Sequence, residues 1–133
     1  MMRRLARHEL KSEYSEIEPQ LMKYIAEFPE YDLHEMLREV LTGESVIWVG
    51  KNSFAIGAPL DYHNARVFLM ECTAGDVEEI MEAMPIIEAD IKAWGFNDIE
   101  VCGRYGWKKK MQPYGFKLDR VILKKTIGED DGR

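Results

Sequence analysis

The chain is short of the residues that staple a fold or hold a metal. It has two cysteines, Cys72 and Cys102, in 133 residues. They have neither the Cys-x-x-Cys spacing of a metal site nor the density of a secreted disulfide framework, and read as two buried, reduced thiols. Histidine is equally scarce. None of His8, His34 and His63 has a second His or Cys at ligand spacing, so no metal site is expected and all three read as surface residues. No apolar run approaches the roughly 18 residues that a membrane span needs. The basic opening Met1-Met-Arg-Arg-Leu-Ala-Arg7 lacks the apolar stretch of a secretory signal. Positive charge is in deficit too. Eighteen Lys and Arg against 24 Asp and Glu give a net charge of −6, which argues against nucleic acid as the main partner. The expectation is a protein of the cytoplasm, or one packaged from it, with no membrane partner.

What is present reads as globular: 46% of residues are hydrophobic and 32% charged. One domain over residues 1–133 is expected, with an N-terminal arm at 1–14 and a solvated tail at 128–133. Ile17, Leu21, Tyr24, Ile25 and Phe28 fall at helical spacing and predict a helix from Glu16 to Phe28, with Pro19 in its first turn. A second helix is expected from a cap at Asp32, with Glu35 three residues on, to Thr42-Gly43. The period then changes. Val46–Val49 and Phe54–Ile56, separated by Lys51-Asn52, predict a hairpin, and Pro59 to Asn64 a polar loop. Ala65–Cys72 reads as the central strand. Asp76 caps a long helix to about Trp94, where Pro85 predicts a kink or break. A strand at Ile99–Val101, a short helix from about Tyr105 to Met111 and a last strand over Leu118 to Ile127 complete the order ααβββαβαβ. The strand, helix, strand unit implies a parallel pair inside a mixed sheet, an α/β (α+β) fold.

The long helix ending at Trp94-Gly95-Phe96, the next strand, the short helix and the Gly115-Phe116 turn resemble the C-terminal half of the GNAT N-acetyltransferase fold. The chain is most similar to small GNAT-like proteins of tailed phages and prophages. The resemblance spans roughly Ile17 to Ile127. It implies that the central strand and the strand after the long helix splay apart, and that acetyl-CoA lies against the splayed edge with its pyrophosphate on the long helix's N-terminus. The family's loop motif, Gln/Arg-x-x-Gly-x-Gly/Ala, matches Cys72-Thr-Ala-Gly-Asp-Val77. Gly75 keeps the first glycine. Cys72 and Val77 replace its neighbours, and Asp76 puts a carboxylate where the pyrophosphate would rest, although it also serves as a helix cap. Aligned on Gly115-Phe116, the family's acid Tyr falls at Met111, which cannot donate a proton.

The resemblance therefore implies Glu71 as general base and Tyr105 or Tyr114 as a replacement acid, with Tyr105 preferred. It implies Glu71, Cys72, Thr73, Gly75, Arg104 and Trp107 as acetyl-CoA contacts, with Glu100 able to face the same cleft. Each has a plainer reading: a solvent-facing strand residue, a cap, or turn packing. The basic, aromatic run Arg104–Lys110 reads either as a phosphate and base contact or as a solvated helix face with Trp107 turned inward. Two functions follow from the resemblance. One is acyl transfer from acetyl-CoA to a small-molecule or protein amine. The other is a non-catalytic virion, assembly or binding role, with Met1–Leu10 as an arm toward a second copy or a virion partner.

Overall fold

A computed structural model describes residues 2–102 and 106–128. A five-stranded mixed sheet runs β1 (Arg3–Arg4), β2 (Val46–Val49), β3 (Ser53–Tyr62), β4 (Ala65–Gly75), β5 (Asp98–Val101), in that spatial order. The first three pairings are antiparallel and β4 with β5 is parallel. Helices α1 (Arg7–Glu27) and α2 (Leu33–Thr42) cover one face. α3 (Val77–Ala93) and the short α4 (Trp107–Met111) cover the other.

Period-two alternation explains the two layers. Ile47 and Val49 join Leu10, Ile17, Leu21 and Tyr24 of α1, while Trp48 between them joins Ile80, Met84 and Ile87 of α3. Buried Trp48 keeps its indole N–H satisfied by Asp90 Oδ2 at 3.2 Å. Asp32 caps α2 by accepting from the His34 and Glu35 N–H groups, and Gly43 ends it in the left-handed region at φ 86°.

Several expectations are corrected. The N-terminal residues are not an arm. Met2, Leu5 and Leu10 are buried, β1 pairs with β2, and α1 begins at Arg7 rather than Glu16. The Glu9 side chain accepts from the Ala6 N–H at 2.9 Å and from Arg3 at 3.0 Å, which closes the helix start. Pro59 does not open a loop, because β3 runs on to Tyr62. β2 pairs β3 only as far as Gly57, so beyond it β3 is an edge strand, where a missing N–H is tolerated. α3 runs unbroken through Pro85, which sits on its exposed face. Cys72 is buried but Cys102 is exposed. Residues 116–126 form no strand. β-branched residues favour a half-buried pleated surface, and no described residue provides one for Leu118 to Ile127.

Candidate active site

The site begins with a mismatch in strand length. β4 and β5 pair from Val67↔Asp98 to Met70↔Val101, and the Cys102 N–H donates to the Met70 carbonyl at 3.2 Å. β5 then ends, whereas β4 continues to Gly75. From Glu71 to Gly75 the β5-facing edge of β4 has no strand partner among the described residues. A bulge stands at the same point. Gly57 alone on β3 faces both Met70 and Glu71, since Ile56 pairs with Cys72 and Ala58 with Leu69. A Cβ at Gly57 would lie 2.7 Å from the Leu69 carbonyl oxygen, so this crowding favours glycine. The bulge reverses the facing of β4: Phe68 and Met70 pack toward α3, while Cys72 packs toward α1 and α2.

Glu71 stands on that bulge, exposed at the rim of a 280 Å³ pocket between α2 and β4. The walls carry Glu30, Asp32, Glu35 and Glu39, with Tyr31, Met36 and Cys72. The Tyr31 hydroxyl donates to Glu71 Oε1 at 3.3 Å. Burial, reinforced by the nearby Cys72 and Glu71, pushes the Tyr31 phenol above its ordinary value, so it stays a donor. Burial likewise pushes the Cys72 thiol up to about 11, which keeps it protonated and unreactive at neutral pH. The pocket gathers several carboxylates into one concavity, which favours a positively charged ligand.

The end of β4 and the start of α3 are locked to the β2–β3 turn. Gly75 has φ 106°, and a Cβ there would meet the Asn52 carbonyl and the Ser53 backbone. Asp76 caps α3, its Oδ1 accepting from the Glu78 N–H at 2.9 Å. Glu79 reaches back across the turn. Its carboxylate accepts from the Lys51 and Asn52 N–H groups, each at 3.0 Å, and from the Ser53 hydroxyl. Burial alone would raise the Glu79 pKa, but these three donors outweigh it and hold the group below the usual range. Three carboxylates thus stand at the start of α3, Asp76 at the cap and Glu78 and Glu79 in the first turn.

The remaining sequence-predicted residues are dispersed. Thr73 is buried, and its hydroxyl donates to the Met70 carbonyl at 3.3 Å, within the bulge. Trp107 is buried against α3, whereas Lys108, Lys109 and Lys110 are exposed. Arg104 and Tyr105 lie outside the described residues. Tyr114 is exposed, beside a different cleft. Glu100 faces that second cleft, where it accepts from the Tyr62 hydroxyl at 3.2 Å and lies 3.6 Å from Arg120. Tyr31 and the acidic walls were not among the expected site residues. Their shared location follows from the α1–α2 turn meeting β4, which local spacing does not report. Among the described residues no group of His, Cys, Asp and Glu has a metal-holding arrangement, and no helix is long and apolar enough to cross a membrane.

No protein-family model and no curated protein matches the chain. Solved structures do. A GCN5-related N-acetyltransferase from Ralstonia eutropha superposes with TM-score 0.66 at 12% identity, over 96% of this chain and 99% of that one. A predicted acetyltransferase with acetyl-CoA from Clostridium acetobutylicum gives 0.63 at 15%, over 96% and 97%. An aminoglycoside acetyltransferase from an uncultured soil metagenomic sample, in complex with sisomicin, gives 0.63 at 13%, over 96% and 95%. The chain has the fold of the GNAT acetyltransferases.

Proposed function

We propose that the chain transfers an acyl group from a thioester, acetyl-CoA in the first instance, to a cationic amine. The observation that carries this reading is the position of Glu71. It lies between the unpaired β4 edge and a pocket walled by carboxylates. Glu30, Asp32 and Glu39 attract an ammonium group and raise its local concentration, while Glu35 is already paired with Arg38 at 3.1 Å. The amine must lose a proton before it attacks. Glu71 is placed to take that proton, directly or through one water. Tyr31 holds one Glu71 oxygen and leaves the other for the acceptor. The rest of the protein's contribution is placement.

The residues fit acetyl-CoA at one end. The open edge from Glu71 to Gly75 offers backbone donors and acceptors to an extended amide arm, as to an added strand. When bound there, acetyl-CoA supplies the activated acyl carbonyl. The pyrophosphate end does not fit the start of α3, where Asp76 already holds the Glu78 N–H and two further carboxylates repel an anion. The exposed Lys108–Lys110 run on α4 is a counter-charge for the phosphates. Tyr105 is the proposed acid toward the leaving thiolate, with Arg104 as a further phosphate contact.

With acetyl-CoA and a polyamine such as spermidine, the full chain is expected to form the acetylated amine. Glu71→Gln is expected to lower kcat by about 100-fold with an unchanged melting temperature. Full activity in Glu71→Gln, or no product with any cationic amine, overturns the reading.

The acidic first turn of α3 favours a second reading, a non-catalytic protein that keeps the scaffold for binding or assembly, a virion component included. It predicts no acetyl-CoA binding at any concentration and a partner recognised through the acidic pocket.

A further inference from the structure

Residues 116–126 form no helix or strand, and around Arg120 the side chains of Leu118, Val121 and Ile122 are largely exposed. Within this solvent-facing run Arg120 has a defined place. Its guanidinium carbon lies 5.4 Å from the centroid of the Tyr62 ring, and its Nη2 lies 3.6 Å from Glu100 Oε2. Its Nε donates to Asp119 Oδ2 at 2.7 Å, on its own segment.

The groups that receive Arg120 belong to the sheet. Tyr62 ends β3, paired with Ala65, and Glu100 lies in β5, paired with Leu69 of β4. The Tyr62 hydroxyl lies 3.3 Å and 3.2 Å from the two Glu100 oxygens and donates to the carboxylate, which fixes it beside the ring. A ring face next to a carboxylate is a cation site. It suits a planar guanidinium better than a round ammonium, because only the former can stack on the ring and fork to the carboxylate. The contact is unequally anchored: paired strands hold the receiving side, and an irregular segment carries the occupant. With Arg120 in place, a cleft of about 1120 Å³ remains beside it, with Phe96, Ile99 and Phe116 in its walls. That is room for a small ligand. The cleft is separate from the acidic acceptor pocket, since Glu100 stands in the paired part of β5 and Glu71 stands past the last β4–β5 pair.

We infer that Tyr62 and Glu100 form a second ligand site, one for the guanidinium of a small arginine-like compound, and that Arg120 occupies it as an internal stand-in. The incoming guanidinium displaces Arg120, stacks on the Tyr62 ring and takes the Glu100 carboxylate, while its aliphatic chain lies in the cleft. Competition from Arg120 lowers the apparent affinity in proportion to the time it spends in the site.

Titration of the full-length, nitrogen-15-labelled chain with N-acetyl-arginine amide, followed by the amide resonances of Tyr62 and Glu100, tests this. Arg120→Ala, a change at an exposed side chain, is expected to keep the melting temperature and to lower the titration midpoint at least fivefold. Glu100→Gln added to that variant leaves an acceptor for the Tyr62 hydroxyl and is expected to raise the midpoint at least tenfold. N-acetyl-lysine amide is expected to bind at least fivefold more weakly than the arginine compound. No saturable shift at Tyr62 and Glu100 in Arg120→Ala overturns the inference, as does a midpoint that Arg120→Ala leaves unchanged. Equal affinity for the lysine compound, or an undiminished affinity after Glu100→Gln, overturns it as well.

Discussion

Glu79→Ala removes the carboxylate that ties α3 to the β2–β3 turn. Two backbone N–H groups and one hydroxyl lose their acceptor. The Lys51 and Asn52 amides lie at an exposed turn and regain water, so each loss is close to the net value of an ordinary hydrogen bond, about 1 kcal/mol. Ser53 is fully buried, and its stranded hydroxyl costs about 1–3 kcal/mol more. The total is on the order of 3 kcal/mol. At about 2.1 cal/mol/K of unfolding entropy per residue, a chain of 133 residues loses roughly 4 °C per kcal/mol, so the melting temperature should drop by roughly 10 °C. Glu78→Ala, on an exposed side chain in the same turn, should cost less than about 1 kcal/mol. The pH dependence follows from the lowered Glu79 pKa. The stabilisation is fully present above the unfolded-state value, near 4.5, and is lost as pH falls through the lower folded-state value. Thermal melts by circular dichroism between pH 7 and pH 3 should show wild type and Glu79→Ala converging toward the acid end. A variant that melts with wild type at pH 7, or a gap that widens on acidification, refutes the reasoning.

Gly75→Ala should destabilise by more than about 2 kcal/mol in the same melts, since φ 106° strains any L side chain and the new Cβ meets the Asn52 carbonyl and the Ser53 backbone. Asp76→Ala should cost about 1 kcal/mol through the lost cap while tightening acetyl-CoA binding, because a carboxylate leaves the anion's approach to α3; calorimetry that shows equal or weaker affinity counts against the repulsion.

The parts of this structure that were legible in the sequence are those set by local chemistry. Asp32 and Gly43 bound α2, Asp76 caps α3, and the apolar run at Ala65–Cys72 is the strand beside β5. The first two turns of α1 were less visible because Arg7–Ser15 is mostly polar, although Leu10 sits seven residues before Ile17 on the same face. Pro59 read as a loop because its tolerance depends on where β2 stops pairing, a tertiary fact. Leu118 to Ile127 has strand composition, but a strand also needs a partner edge, and composition does not reveal one. At the site, Glu71 was identifiable as a carboxylate on the central strand. The contact that orients it comes from Tyr31, forty residues away, and the Glu79 clamp spans 26 to 28 residues. Such pairings emerge only when helices settle on the sheet.

Calorimetric titration of the full-length protein with acetyl-CoA tests the central claim most directly. Acyl transfer at the open β4 edge predicts saturable binding of acetyl-CoA. No heat at millimolar acetyl-CoA would contradict it and leave the scaffold with a binding role alone.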